Sequence, residues 1–300
     1  MLRGVHFLLT YTCTYECDHC FLHCGSDAQG TFTLEQLRRV FREIERLRTV
    51  EMVYFEGGEP LLFYPLMLAG LRLASSLGLK TGIVSNAYWA TSLEDAAIWL
   101  KPIRALGIVD LSISDDAFHQ STHQHSPAKL ACAAAERLGI PCNTICIEEP
   151  AALSSPNSSR ARGQPVVGGG VRFRGRAAEK LANGLPRQLR RRLTTCPDED
   201  LEKPERVHLD SFGNVHICQG VSMGNMWESS LSVLVGEYDA RAHPICGPLL
   251  AGGPARLAKQ HGVKLGDQYV NECHYCYFVR KALVDRFPQY LAPRQVYGLT

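Results

Sequence analysis

Strand-like and helix-like segments alternate strictly through the first half of the chain. GVHFLLTY (4–11) reads as a short buried strand. TFTLEQLRRVFREIERLR reads as a helix: Thr33 and Gln36 form a capping box, and Leu37, Val40, Phe41, Ile44 and Leu47 share one face. EMVYFEGGEP is a strand running into a glycine turn. YPLMLAGLRLASSLG is a helix with Pro65 early and Gly78 at its end. KTGIVSNA is a strand, and SLEDAAIWLKPIRALG a helix that Pro102 should break or kink. IVDLSIS (strand), SPAKLACAAAERLG (helix) and CNTICIEE (strand) follow. Such alternation demands βαβ units on a parallel sheet with right-handed crossovers. In parallel α/β folds ligands bind at the carboxyl ends of strands. Here the residues with chemistry sit there: a cysteine loop, GGEP, SNA and SDD. Four loops should therefore converge on one mouth.

The rest of the chain is organised differently. Residues 151–166 are polar, rich in Ser, Pro and Arg, and read as a long mobile loop. VRFRGRA then reads as a last barrel strand, and RQLRRRL as a basic helical run with a solvated face. Beyond about residue 190 the alternation stops. VHLDSFGNVHIC reads as a hairpin through Gly213 and Asn214, amid scattered cysteines. Three hundred residues suit one sizeable domain plus a smaller one. We place the boundary between 1–185 and 186–300, the second part a small α+β unit organised by metal.

The chain has 12 cysteines, which a secreted mini-protein would use for disulfides. No apolar run approaches the ~20 residues of a membrane span, and the N-terminus lacks the form of a secretory signal. A cytoplasmic, reducing setting follows, with metal binding or catalysis as the use of the thiols. A formal net charge of +2 gives no reason to expect nucleic acid. Cys132, Cys142 and Cys146 stand apart and read as ordinary small core residues. Cys13, Cys17 and Cys20 form C-x3-C-x2-C after the first strand. Three thiolates on one loop can wrap one face of an iron–sulfur cluster, leaving a metal position open for a small molecule. Cys24 could close that shell, but residues 21–24 should carry the chain away. Zinc is the competing reading of this loop, with His19 and His23 at hand.

The C-x3-C-x2-C loop, flanked by Tyr15 and Phe21 and followed one helix later by Gly57-Gly58-Glu59-Pro60, resembles the radical S-adenosylmethionine (radical SAM) superfamily over about residues 5–180. The resemblance implies a partial (β/α)6 TIM-like barrel. It also implies that Cys13, Cys17 and Cys20 hold a 4Fe–4S cluster whose open iron binds SAM. The GGEP turn would then hold the methionine amino group. Ser85 and Asn86 look like the family's third-strand motif. Ser114 and Asp116 look like the polar pair that meets the ribose or carboxylate of SAM. The implied chemistry is reductive cleavage of SAM to methionine and a 5′-deoxyadenosyl radical, which takes a hydrogen atom from substrate. That chemistry requires no general base, so His119, His123 and His125 are left as loop histidines.

Cys196, Cys218, Cys273 and Cys276 resemble the ligands of the auxiliary clusters that follow many radical SAM barrels, in SPASM and shorter "twitch" domains. RGRA (Arg174 to Ala177) is similar to the junction between barrel and SPASM domain. Five cysteines here, against seven in a full SPASM domain, imply one auxiliary 4Fe–4S cluster with Cys246 spare. A structural zinc site on the same four thiolates is the alternative. An auxiliary cluster would assist a net oxidation. The substrates implied are a peptide or protein, or a small molecule, with flavodoxin or ferredoxin as reductant. The early Cys13 leaves no room for a leader-binding segment before the barrel. The competing classes are a non-catalytic iron–sulfur electron carrier and a zinc-stabilised binding module.

Overall fold

The computed structural model describes residues 1–119, 126–153 and 166–299. His123, His125 and most of the polar stretch 151–166 lie outside the described residues. β1 (Gly4–Thr10), β2 (Met52–Gly57), β3 (Lys80–Ser85), β4 (Asp110–Ser114) and β5 (Cys142–Ile145) pair in sequence order, all parallel. Between them run α1 (Leu34–Leu47), α2 (Tyr64–Ser76), α3 (Leu93–Ala105) and α4 (Pro127–Arg137). The fold is therefore α/β around a large parallel sheet, and the sheet stays open rather than closing into a barrel.

Local chemistry explains these elements. Thr33 caps α1 by accepting from the Gln36 amide, and the Gln36 side chain accepts in turn from the Thr33 amide at 2.8 Å. Successive strand residues point to opposite faces. Val5, Phe7 and Leu9 of β1 therefore face the helices, where Phe7 stacks on Phe55 at 5.1 Å and on Phe41 at 5.3 Å. Full burial of a side chain such as Phe7 is worth about 1.5–3 kcal/mol. His6 and Leu8 fall on the other, concave face. α3 does not break at Pro102 but runs through it. The carbonyl that loses its donor belongs to Ile98, which is exposed and leaves that group to water.

Two sequence expectations fail in the second half. VRFRGRA is not a barrel strand, because at residues 171–174 the chain turns locally, Arg174 N–H donating to the Arg172 carbonyl at 2.7 Å. The sixth parallel strand is instead β6 (Arg206–Asp210), and it joins the opposite edge, beside β1. Val207 and Leu209 lie level with Val5 and Phe7, all four fully buried, so continuing the apolar face selects this register. β7 (Asn214–Cys218) returns as the expected hairpin, and β8 (Val221–Asn225) completes an order of β8-β7-β6-β1-β2-β3-β4-β5. One sheet thus crosses the expected boundary at 185/186. RQLRRRL forms only a two-residue strand and a single 3-10 turn at Arg190–Arg192, not a helix run. The C-terminal part adds α5 (Cys246–His261), bent at Gly252 and Gly253, and α6 (Glu272–Lys281).

Candidate functional site

The loops after β1 to β5 do converge. Cys13, Cys17 and Cys20 line a cavity of about 300 Å3 together with Tyr15, Gly57, Gly58, Ser85, Asn86, Ser114 and Ile145. The cysteine loop is closed at its base, where Cys13 N–H donates to the Gly25 carbonyl at 3.0 Å. That closure brings Cys24 back beside Cys20 on the cavity wall, contrary to the expected exit of the chain. A hydrogen bond from Cys24, outweighing burial, lowers the Cys20 thiol to about 6, with Arg176 adding to the effect. Burial raises Cys13 to about 11 and Cys17 to about 12.

The GGEP turn also carries a packing role. A side chain on Gly58 would stand 2.2 Å from the Thr12 carbonyl oxygen, and one on Gly57 2.4 Å from that of Thr10. The glycines let the end of β2 pass against the end of β1, where Gly58 and Glu59 amides donate to the Thr10 and Thr12 carbonyls at 2.7 and 2.9 Å. Glu59 and Pro60 are buried behind the cavity wall, not in it. The Glu59 carboxylate accepts from the Leu61 amide, the Asn86 amide and the Ser85 hydroxyl, at 2.8–3.1 Å. It therefore pins the β3 turn to the β2 turn. Burial outweighs those donors and raises its pKa to about 7. The Asn86 side-chain Nδ2 donates to Thr14 Oγ1 at 3.0 Å and to Cys13 Sγ at 3.5 Å. Asp116 too lies outside the cavity wall. It holds His119, Nδ1 to Oδ1 2.7 Å, and His119 does line the cavity, as does His19. Burial lowers His19 to about 4.

The second cysteine set gathers around a small separate cavity. Cys196, Cys218, Cys273 and Cys276 line it, from three places far apart in sequence, with Arg174 and Arg280 completing the wall. Both arginines are fully buried. Arg174 pairs with Asp198 at 3.1 Å and Glu199 at 3.0 Å, and reaches Cys273 Sγ at 3.7 Å. Arg280 reaches Cys218 Sγ at 3.9 Å. Cys246 is not on this wall. It is buried beside it and hydrogen-bonded to Tyr238. Cys132 and Cys142 are half-buried, packed against the core with sulfurs 3.0 Å apart, while Cys146 is exposed and is not the core residue the sequence suggested.

RGRA joins the two sets, a role that residue type alone did not reveal. Arg174 turns to the second set. Arg176, two residues on, donates to the Cys17 carbonyl at 2.9 Å and the Cys24 carbonyl at 2.6 Å, and its amide donates to the Cys20 carbonyl. A side chain on Gly175 would meet the Cys20 carbonyl oxygen at 2.6 Å, so the junction packs directly on the cysteine loop.

The spacing of donors bears on what the sets can hold. Four thiolates about 2.3 Å from one tetrahedral zinc stand about 3.8 Å apart. Among the described residues, three or more His, Cys, Asp or Glu donors within 4.8 Å of one another occur at His6–Glu56–His208 and His19–Asp116–His119, and in neither cysteine set. A cluster, with each thiolate on its own iron, suits the wider arrangement. The donor types and spacing therefore fit iron–sulfur clusters better than single ions. No helix of the described residues is long and apolar enough to cross a membrane.

Comparison with known proteins agrees with the loop pattern. The chain is 23% identical over 117 residues to the putative peptide biosynthesis protein YydG of Bacillus subtilis (strain 168), covering 39% of this chain and 37% of that protein. It is 30% identical over 86 residues to the S-adenosylmethionine-dependent nucleotide dehydratase of Selenomonas ruminantium, covering 29% of this chain and 30% of that one. The chain thus spans about a third of the length of these curated relatives. The crystal structure of BtrN in complex with AdoMet and 2-DOIA aligns over 78% of this chain and 82% of that one, at 15% identity and a TM-score of 0.49. The family model of the Radical SAM superfamily matches residues 7–147, which span the cysteine loop, GGEP and β1 to β5, and that stretch of the chain is a radical SAM domain.

Proposed function

We propose that the chain is a radical SAM enzyme with residues 1–185 as its core and 186–300 as a twitch-like auxiliary-cluster part whose strands β6 to β8 extend the core sheet. The carrying observation is that the three C-x3-C-x2-C thiols share one cavity wall with the ends of β2 to β5. Cys13, Cys17 and Cys20 would hold a 4Fe–4S cluster, which when bound supplies the electron that cleaves SAM to methionine and a 5′-deoxyadenosyl radical. The chain's own part is to bind, orient and exclude water. Gly57, Gly58, Ser85, Asn86 and Ser114 line the cavity and meet SAM. Glu59, Pro60 and Asp116 act from behind, Glu59 by fixing the Asn86 backbone and Asp116 by holding His119. Cys196, Cys218, Cys273 and Cys276 would hold one auxiliary 4Fe–4S cluster that assists a net oxidation, the two buried arginines offsetting its negative charge. The likeness to YydG supports a peptide substrate over a small molecule. A flavodoxin or ferredoxin of the cytoplasm would supply electrons.

The test is anaerobic. Cluster-loaded protein is reduced with dithionite, given SAM, and 5′-deoxyadenosine is quantified against the Cys13→Ala/Cys17→Ala/Cys20→Ala variant. Nucleoside from the wild type alone is the expected result. A cluster-loaded wild type that forms none, and whose reduced EPR spectrum SAM leaves unchanged, would be an electron carrier instead.

A further inference from the structure

We propose that His6, Glu56 and His208 form a binding site for one divalent transition-metal ion, separate from both cysteine sets. The three residues come from neighbouring strands β1, β2 and β6, and one donor atom from each lies within 4.8 Å of the others. Register explains the meeting: His6 lies level with His208, and Glu56 with Leu8, so all three share the concave face. Two imidazoles and one carboxylate are a ligand set suited to zinc and to iron(II), with positions left open.

The distances favour a shared ion over an ion pair. His6 Nδ1 stands 3.4 Å from Glu56 Oε2, and this buried nitrogen has no hydrogen-bond partner. That is long for a hydrogen bond. Two donors each about 2.1 Å from one tetrahedral ion stand about 3.4 Å apart. His208 Nε2 lies 3.0 Å from the other oxygen, Oε1, so the carboxylate offers one oxygen toward each ring. Tyr54 stacks on His6 at 4.7 Å and is itself tied to Asp110, which fixes the ring plane.

Charge points the same way. Glu56 meets ion-pair partners, among the described residues, only in these two imidazoles. A largely buried carboxylate that faces imidazoles alone is a charge that a divalent cation can offset. Glu56 also lines the main cavity, so an open metal position there is within reach of a cavity occupant bearing an oxygen or nitrogen donor.

The test uses cluster-loaded protein and zinc alone, and does not read SAM cleavage. Wild type, Glu56→Gln and His208→Ala are equilibrated with excess Zn2+, desalted, and measured for zinc and iron, with melting followed by circular dichroism. The wild type should retain one more zinc per chain than either variant, at equal iron. X-ray absorption of that extra zinc should show only nitrogen and oxygen neighbours, at about 2.0–2.1 Å. Titration should give at least a tenfold weaker dissociation constant for Glu56→Gln, a near-isosteric change that decides the matter if His208→Ala does not fold. Equal zinc in wild type and Glu56→Gln, or sulfur neighbours at about 2.3 Å, would overturn the site.

Discussion

The two cysteine regions solve opposite electrostatic problems. The N-terminal loop borders an open cavity, and its buried charge is the Glu59 carboxylate, met by backbone amides and one hydroxyl. The C-terminal set is closed in, and its buried charges are the Arg174 and Arg280 guanidiniums. Beside the open cavity the Glu59 carboxylate sits behind the wall, held by neutral donors. In the closed set two cations stand against the sulfurs. The difference suits access at the first site and retention at the second. RGRA is where the two designs touch, one arginine serving each.

Removing one arginine at a time breaks that comparison most sharply. Arg174→Met leaves Asp198 and Glu199 facing each other without their buried partner, a loss of about 3–5 kcal/mol by analogy with other broken buried pairs. The expected result is loss of the iron held by the C-terminal set, with the N-terminal cluster's EPR signal retained. Arg176→Met removes hydrogen bonds from a charged donor to two loop carbonyls, each worth about 1.5–3 kcal/mol. It should do the reverse, loosening the N-terminal cluster alone. Iron quantification with Mössbauer spectra of both variants checks the pattern. Loss of the same cluster in both would mean that RGRA does not divide its arginines in this way.

Glu59 sharpens the contrast through pH. Its pKa rises from 4.5 to about 7 on folding, because burial outweighs its donors. Between those values the native state holds a proton that the unfolded chain releases. Stability attached to this group is therefore full below about pH 4.5, falls as pH rises, and levels off above about 7. At about 1.4 kcal/mol per unit the fall is about 3 kcal/mol. Urea unfolding of wild type and Glu59→Gln at pH 5 and 7.5 reads the difference. The wild type should lose more stability across that interval than the variant. Equal slopes would show that the three donors, not burial, set the ionisation of Glu59.

Much of the first region was legible in the sequence because its parts are local. The capping box of α1, the spacing of Cys13, Cys17 and Cys20, and the placement of GGEP after a strand all need only neighbouring residues to be read. What escaped depends on chain segments far apart. β6 lies against β1 though about 200 residues separate them, and local pattern cannot tell which edge a strand joins. RGRA read in sequence as a junction, but the grip of Arg176 on the cysteine loop appears only when residues 17–24 fold under it. Gly57 and Gly58 were recognised, but their close passage against the end of β1 was not, since spacing does not show which strand end lies beside them.

The smallest effects expected concern the spare thiol of each region. Cys24 sits on the first cavity wall and bonds to Cys20, while Cys246 lies buried off the second wall and bonds to Tyr238. If the first site keeps an open position, Cys24→Ala leaves iron content unchanged and alters SAM cleavage only through the raised pKa of Cys20. Cys246→Ala should cost about 1 kcal/mol, as one buried polarisable group is lost while Tyr238 keeps its hydrogen bond to the Leu201 carbonyl at 2.7 Å. Iron per chain and the melting temperature read both. Loss of the N-terminal cluster in Cys24→Ala would identify a closed four-thiolate shell, and with it the access that distinguishes the first region from the second would be gone.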